Sequence, residues 1–285
     1  MPSSRTNQLS SPVTVPSAKA GGSILRPVIV VAIFSVLFGL SFGSFLNVCI
    51  SRLPKHQSIV HPPSRCPECG ESIWIRDNLP LVGWILLGGH CRHCNSRIPL
   101  RYPLVELAAA ALFLLTYLTF NLTLEGAGMV VLCFLLLGLA VMDAESLFLS
   151  NAFTVPGIAL GIVYSAIRGG WRAAVLAVVS AVAAAGLILL IRSAYWLVRK
   201  QEGMGLGDAK LMAMIAAWLG PWQTLLAFFL AMVAAAIFGL FWISLKKGGS
   251  MRTLQLPFGS FLCAAAIYAV FQGQPILKWY LQFFR

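Results

Sequence analysis

Apolar stretches of membrane-crossing character recur along almost the whole chain, and no other feature of the sequence limits its fold as severely. They run roughly from Pro27 to Ile50, Pro103 to Phe120, Ala127 to Met142, Phe153 to Ile167, Ala173 to Ile191, Ala209 to Leu219, Thr224 to Leu245 and Phe258 to Phe271. Roughly 20 apolar residues span a hydrocarbon core as a helix, and lipid offers the backbone no partners, so each stretch must satisfy its own polar groups. The sixth is the shortest and ends at Gly220-Pro221, a pair that breaks a helix. The expectation is an all-α polytopic membrane protein with about eight transmembrane helices. Of 285 residues, 59% are hydrophobic and 11% charged, which leaves too little polar surface for a soluble domain of this size.

Four segments follow. Residues 1–26 are rich in Ser, Pro, Thr and Gly and read as a flexible tail. Residues 27–50 form the first span, read as a retained helix because no small-residue cleavage signal closes it. Residues 51–102 form a polar loop, the one segment able to build a small soluble domain, and residues 103–285 carry the remaining spans.

The formal charge of +12 is distributed unevenly. Fourteen Lys and Arg fall in the loops 51–102, 192–210 and 246–257, and seven fall in the tail, at Arg168 and Arg172, and at the C-terminal end. Basic residues in short loops stay in the cytoplasm, so the first set, the 51–102 loop included, is expected inside. The basic residues alternate with apolar spans and gather on no one face, which argues against nucleic acid as a partner and leaves membrane lipid as the surroundings.

Four of the seven cysteines stand out as two pairs in C-x2-C spacing. Cys66, Cys69, Cys91 and Cys94 form C-x2-C-x21-C-x2-C, an arrangement that presents four sulfurs to one zinc. Four thiolates leave no site for water, so the metal is expected to be structural, and it would supply much of the folding free energy of so small a loop. His90 and His93 flank the second pair without being needed as ligands, and His56 and His61 fit no pattern. Cys49, Cys133 and Cys263 sit singly in apolar runs and read as packing residues.

Asp143 ends the third span in GLAVMDAESLFLSN, and Asp208 opens the sixth in GMGLGDAKL. A carboxylate at a helix end is often simply solvated, but two at one membrane depth, one behind Gly203, Gly205 and Gly207, suggest a shared site. Two carboxylates in a poorly solvated place share a proton and divide into a base and an acid. Such a pair hydrolyses a peptide bond without a serine or cysteine nucleophile. On helix-dipole grounds, Asp208 at an N-terminus is the expected base and Asp143 at a C-terminus the expected acid.

Four motifs occur in order: GSFLNVCISRLP (43–54), SRCPECGESIWIRDNLPLVGWILLGGHCRHCNSRIPLRYPLVEL (64–107), GMGLGDAKL (203–211) and LPFGSFL (256–262). Together they resemble the type IV prepilin leader peptidases, GxGD-type aspartic proteases of the bacterial inner membrane. The resemblance implies that Asp143 and Asp208 are the catalytic pair and that the four cysteines are a cytoplasmic zinc cluster. It implies as substrates the prepilins and type II secretion pseudopilins, cut at the cytoplasmic face. It further implies methylation of the new N-terminal amine from S-adenosylmethionine. No dinucleotide-type glycine turn follows a strand, so the methyl-donor site rests on the resemblance alone. Glu106 is a candidate for that site or for holding the substrate amine, or else it pairs with Arg101 or Arg97. Asn47 and Arg52 are a candidate polar contact and a candidate anchor. One departure is visible, since the family commonly carries Pro-Asp seven residues after the first catalytic Asp and this chain carries Ser150-Asn151. The rival reading from another class is a non-enzymatic transporter or scaffold with a zinc-bearing docking loop, and a third is a methyltransferase that does not cleave.

Overall fold

The computed structural model describes residues 21–200, 205–245 and 256–283. Most of the N-terminal tail, Gly203 and the basic residues of the 246–255 stretch lie outside the described residues. Among the described residues there are seven α-helices: α1 (Gly21–Arg52), α2 (Val82–Leu86), α3 (Arg101–Phe120), α4 (Leu124–Ser146), α5 (Asn151–Arg199), α6 (Leu206–Leu245) and α7 (Phe258–Phe283). All but α2 are long and apolar enough to cross a membrane, which makes six. No strand occurs among the described residues, only isolated bridges at Arg65 with Ser72 and His90 with Arg97.

Six long helices replace the eight expected stretches because two of them carry a pair of stretches each. A straight helix of 49 residues would be about 74 Å long, more than twice the roughly 30 Å of a hydrocarbon core. Helix α5 has that length and leaves helical geometry at Gly169 and at Gly170, where φ is +68°. Helix α6, of 40 residues, does the same at Gly220 with φ +75°, just before Pro221. The first helix begins at Gly21, inside the stretch read as tail.

The ends of the helices are set by local chemistry. Thr123 caps α4 by accepting from Gly126 N at 3.1 Å, with Glu125 in the first turn. At the other end Leu147 adopts the left-handed conformation and returns its N–H to the carbonyl of Asp143. Ser150 then caps α5 by accepting from Ala152 N at 3.2 Å. Four residues therefore separate two helices, and Asp143 is held in the last turn before the bend.

Helices α4, α6 and α7 supply the interior. Leu132, Leu136, Leu139 and Met142 of α4, Leu211, Met212, Met214 and Ile215 of α6, and Leu262 and Ala266 of α7 are fully buried. Helices α1 and α5 instead expose large apolar side chains such as Phe34, Phe38, Val179 and Leu190, as lipid-facing helices do. Cys49, Cys133 and Cys263 are buried in the apolar core.

Contacts at the helix ends fix the two sides of the bundle. Arg101 at the start of α3 donates to Glu145 at the end of α4 at 2.6 Å, and Lys210 in α6 donates to Asn151 at the start of α5 at 2.8 Å. The 51–100 segment, the α4–α5 bend and the start of α6 share one side. At the opposite side Arg168, next to the break in α5, donates to Glu125 in the first turn of α4 at 3.1 Å.

Candidate active site and metal centre

Each aspartate is buried and tethered through one oxygen. Asp143 is 5% exposed and Asp208 9% exposed. Asp143 Oδ2 accepts from the backbone N–H of Ser260 at 2.6 Å and from its hydroxyl at 3.1 Å. Asp208 Oδ2 accepts from Gly205 N at 3.0 Å, which is one half of a capping box: the side chain at the third helical position reaches back to the N–H of the capping residue. Thus GLGD folds as it does because an acidic side chain closes the start of its own helix.

Leu149 lies between the two tethers. A methyl group at Gly207 would come within 3.0 Å of Leu149 Cβ, and one at Gly259 would meet Leu149 Cδ2 at 3.1 Å and the Asp143 carboxylate at 3.0 Å. Asp208 feels the charge of Asp143, and the buried Cys263, one turn beyond Ser260, feels both. The structure thus brings together the two aspartates that lie 65 positions apart in the sequence. The dipole argument no longer separates their roles, because Asp143 reaches the N-terminus of α7 as Asp208 reaches that of α6. Ser260 and Leu149 were not singled out from the sequence; their significance is created by contacts across the fold.

The cysteine loop folds into two matching turns. Cys66 N donates to Glu71 O and Gly70 N to Cys66 O, while Cys91 N donates to Ser96 O and Asn95 N to Cys91 O. The residue after each pair, Gly70 or Asn95, has positive φ. All four sulfurs lie within 4.8 Å of one another, and Cys66 and Cys94 are 3.8 Å apart. Zinc–sulfur bonds of about 2.3 Å in a tetrahedron demand sulfur separations of about 3.8 Å, so the donor set fits the ion.

The N–H of Cys69 and other donors bring the Cys66 thiol down to about 6. The Glu71 N–H pulls Cys69 the same way, but burial and the three neighbouring sulfurs outweigh it and push that thiol up to about 12. Four sulfurs this close cannot all ionise without a cation among them, a charge that a zinc ion would supply. Ser96 adds a hydroxyl 3.1 Å from Cys94 and 3.7 Å from Cys66, contacts that the spacing of the cysteines does not reveal. The neighbouring Asp77 is gripped by Arg92 through two bonds of 2.8 and 2.6 Å, which hold its carboxyl below the usual range. His90 turns its ring to Gly88 O at 2.7 Å.

Glu106 is paired with neither Arg101 nor Arg97. Its Oε2 accepts from Leu81 N at 2.7 Å, with the Ser44 hydroxyl in reach, and Arg101 turns to Glu145. Gly43 lets α1 lie against this turn of α3, since a methyl group there would come within 2.7 Å of Glu106 Cα. Asn47, 2% exposed, donates to Tyr102 O at 3.0 Å. Arg52 holds the carbonyls of Ser58 and Pro62 at 3.0 and 2.7 Å. These side chains fasten the loop to the two helices from which it emerges.

Comparison with known proteins gives two adjacent family matches. Residues 37–120 match the bacterial peptidase A24 N-terminal domain, and residues 130–240 match the type IV leader peptidase family. A protein of Aeromonas salmonicida described as a prepilin leader peptidase/N-methyltransferase is 34% identical over 274 residues, covering 86% of this chain and 92% of the relative. Proteins with the same description from Pseudomonas aeruginosa, 34% identical over 87% of this chain and 93% of the relative, and from Myxococcus xanthus, 39% identical over 78% and 66%, are similar as well. No solved structure matches the chain.

Proposed function

The chain belongs to the type IV leader peptidase family, and from that premise we propose that it is a membrane enzyme that removes the leader of prepilins and pseudopilins and methylates the new N-terminus. We assign the cleavage to Asp143 and Asp208. The observation that carries the assignment is the convergence of two buried carboxylates, each tethered by one oxygen, on either side of Leu149.

In the resting pair one proton is shared. The ionised aspartate takes a proton from water as the water oxygen bonds to the scissile carbonyl carbon, and its protonated partner gives its proton to the carbonyl oxygen. In the second step the first aspartate passes its proton to the amide nitrogen as the carbon–nitrogen bond breaks. The second recovers a proton from the tetrahedral intermediate, which becomes the carboxylic acid. The pair ends with the single proton it began with.

The breaks at Gly169–Gly170 and Gly220 support eight membrane passes, with α5 and α6 each folded into two. The basic excess on the side of the cysteine loop favours the cytoplasm of a bacterial inner membrane for both the loop and the aspartates. The sulfur geometry supports zinc as a structural ion of the 51–102 loop. S-adenosylmethionine would supply the methyl group. In that step Glu106 acts through the loop it holds, since its Oε2 is engaged by Leu81 N.

The test is to incubate the purified protein in lipid with a prepilin and S-adenosylmethionine and weigh the products. Loss of the leader with one added methyl, and intact prepilin when Asp143→Asn or Asp208→Asn replaces the wild type, is the expected result. Cleavage that survives both substitutions overturns the assignment.

A further inference from the structure

Ser260 occupies the first turn of α7 and makes three contacts toward α4. Its N–H reaches Asp143 Oδ2 at 2.6 Å, its hydroxyl oxygen lies 3.1 Å from the same atom, and that hydroxyl is 2.8 Å from Ala140 O, one turn before Asp143. A carboxylate oxygen has two in-plane lone pairs, and Ser260 brings a donor to each. Among the described residues Asp143 Oδ1 has no protein partner, and Asp208 Oδ2 receives a single donor, from Gly205.

We propose that Ser260 is a positioning residue of the peptidase centre: its two donors saturate Oδ2 of Asp143, so the exchangeable proton of that carboxyl enters and leaves through Oδ1. The inference rests on the reading of Asp143 as half of the catalytic pair. General acid–base transfer works from the atom that meets the reacting group, and a proton parked on the far oxygen does no chemistry. The backbone bond alone leaves one lone pair of Oδ2 open, and the hydroxyl closes it. The hydroxyl has one hydrogen for two acceptors, Asp143 Oδ2 and Ala140 O. The carboxylate is the stronger acceptor, and Oδ2 still accepts when Oδ1 carries the proton, so the hydrogen serves Oδ2 in both states. Both bonds also tie the first turn of α7 to the last turn of α4, which fixes the plane of the carboxylate.

The experiment uses the full chain in lipid vesicles, with steady-state cleavage of a prepilin. Ser260→Ala keeps the N–H and loses the hydroxyl; kcat is expected to fall roughly ten- to a hundredfold with KM unchanged, the effect of losing one hydrogen bond to a charged group. Ser260→Thr restores most of the rate. Ser260→Pro, in a first turn where proline is tolerated, removes both donors and loses more. A wild-type kcat in Ser260→Ala overturns the proposal, as does a parallel change in KM that Thr does not rescue. Should the alanine variant not fold, Ser260→Cys, with a weak donor, must give an intermediate kcat, and a wild-type kcat there overturns the proposal equally. Failure of the underlying reading is distinct, because Asp143→Asn would then keep its rate whatever Ser260 does.

Discussion

Lys210 Nζ lies 2.8 Å from the side-chain oxygen of Asn151, so the first turns of α5 and α6 are joined two residues beyond Asp208. Ser150-Asn151 makes this contact at the place where the family resemblance implies Pro-Asp: Asn151 offers a neutral acceptor to a lysine that an aspartate would meet with a charge. Ser150 holds a φ of −65°, which proline also adopts. Asn151→Asp makes the contact an exposed ion pair, worth about 0–1 kcal/mol. Thermal unfolding in detergent should shift by no more than that, and prepilin cleavage should stay within about twofold of wild type. A tenfold change in rate would show that a carboxylate at position 151 enters the chemistry.

Asp143→Asn and Asp208→Asn keep the size and an acceptor oxygen for Ser260 or Gly205, so both variants should fold. Each should lower kcat by roughly 10² to 10⁴, the range for a removed acid–base group. The double variant should be little worse than either single one, because two groups that handle one proton act as a unit. Rates and thermal midpoints measured on the same preparations check both statements, and additive losses would mean that the two aspartates work independently.

Gly259→Ala places a methyl group 3.0 Å from both Cγ and Oδ2 of Asp143 and 3.1 Å from Leu149 Cδ2. The carboxylate must move, and overpacking of this kind costs about 1–3 kcal/mol. A small displacement at a reacting group is expensive, so kcat should drop roughly tenfold or more. Gly186→Ala is the control, since nothing lies within 4 Å of the added methyl and helix propensity favours alanine by about 0.5–1 kcal/mol. Equal activity in the two variants would show that the Asp143 carboxylate has room to shift without loss.

Removal of the metal separates the loop from the membrane core. Elemental analysis should find about one zinc per chain, as four thiolates in a closed site require. Cys69→Ser or a strong chelator should abolish it. The 51–100 segment should then become sensitive to protease while the helical content of the six long helices persists, because the loop has little apolar core of its own. Zinc loss without exposure of the loop would refute the structural role.

The legible parts of the sequence were those where rarity makes a residue conspicuous. Asp143 and Asp208 stand out because acidic groups are scarce among apolar spans, and the cysteine quartet stands out by spacing. Ser260 is an ordinary polar residue in LPFGSFL until α7 brings it against a carboxylate 117 positions away. The pairing of Arg101 was equally hidden. Proximity in sequence suggested Glu106, but five residues on, about 140° around the helix, that side chain faces α1 and the loop, and Arg101 meets Glu145 across the bundle. Apolar length located the stretches, and Gly220-Pro221 marked the break within α6, whereas the break within α5, at Gly169–Gly170, has no proline to announce it.

Glu106 offers a test that separates anchoring from charge. Leu81 has a positive φ of 62° and donates its N–H to Glu106 Oε2, so the start of α2 is held in a strained conformation by an acceptor on α3. Glu106→Gln retains an acceptor oxygen, whereas Glu106→Ala leaves that N–H unpaired, at a cost of about 1–3 kcal/mol. If the carboxylate works as an anchor, the glutamine variant should match wild type in both cleavage and methylation. The alanine variant should expose the loop to trypsin at Arg76 and Arg92 and lose methylation with it. If its charge takes part in methyl transfer, both variants should lose methylation while the glutamine variant keeps its loop protected. Limited proteolysis and product mass, read on the same samples, decide between the two.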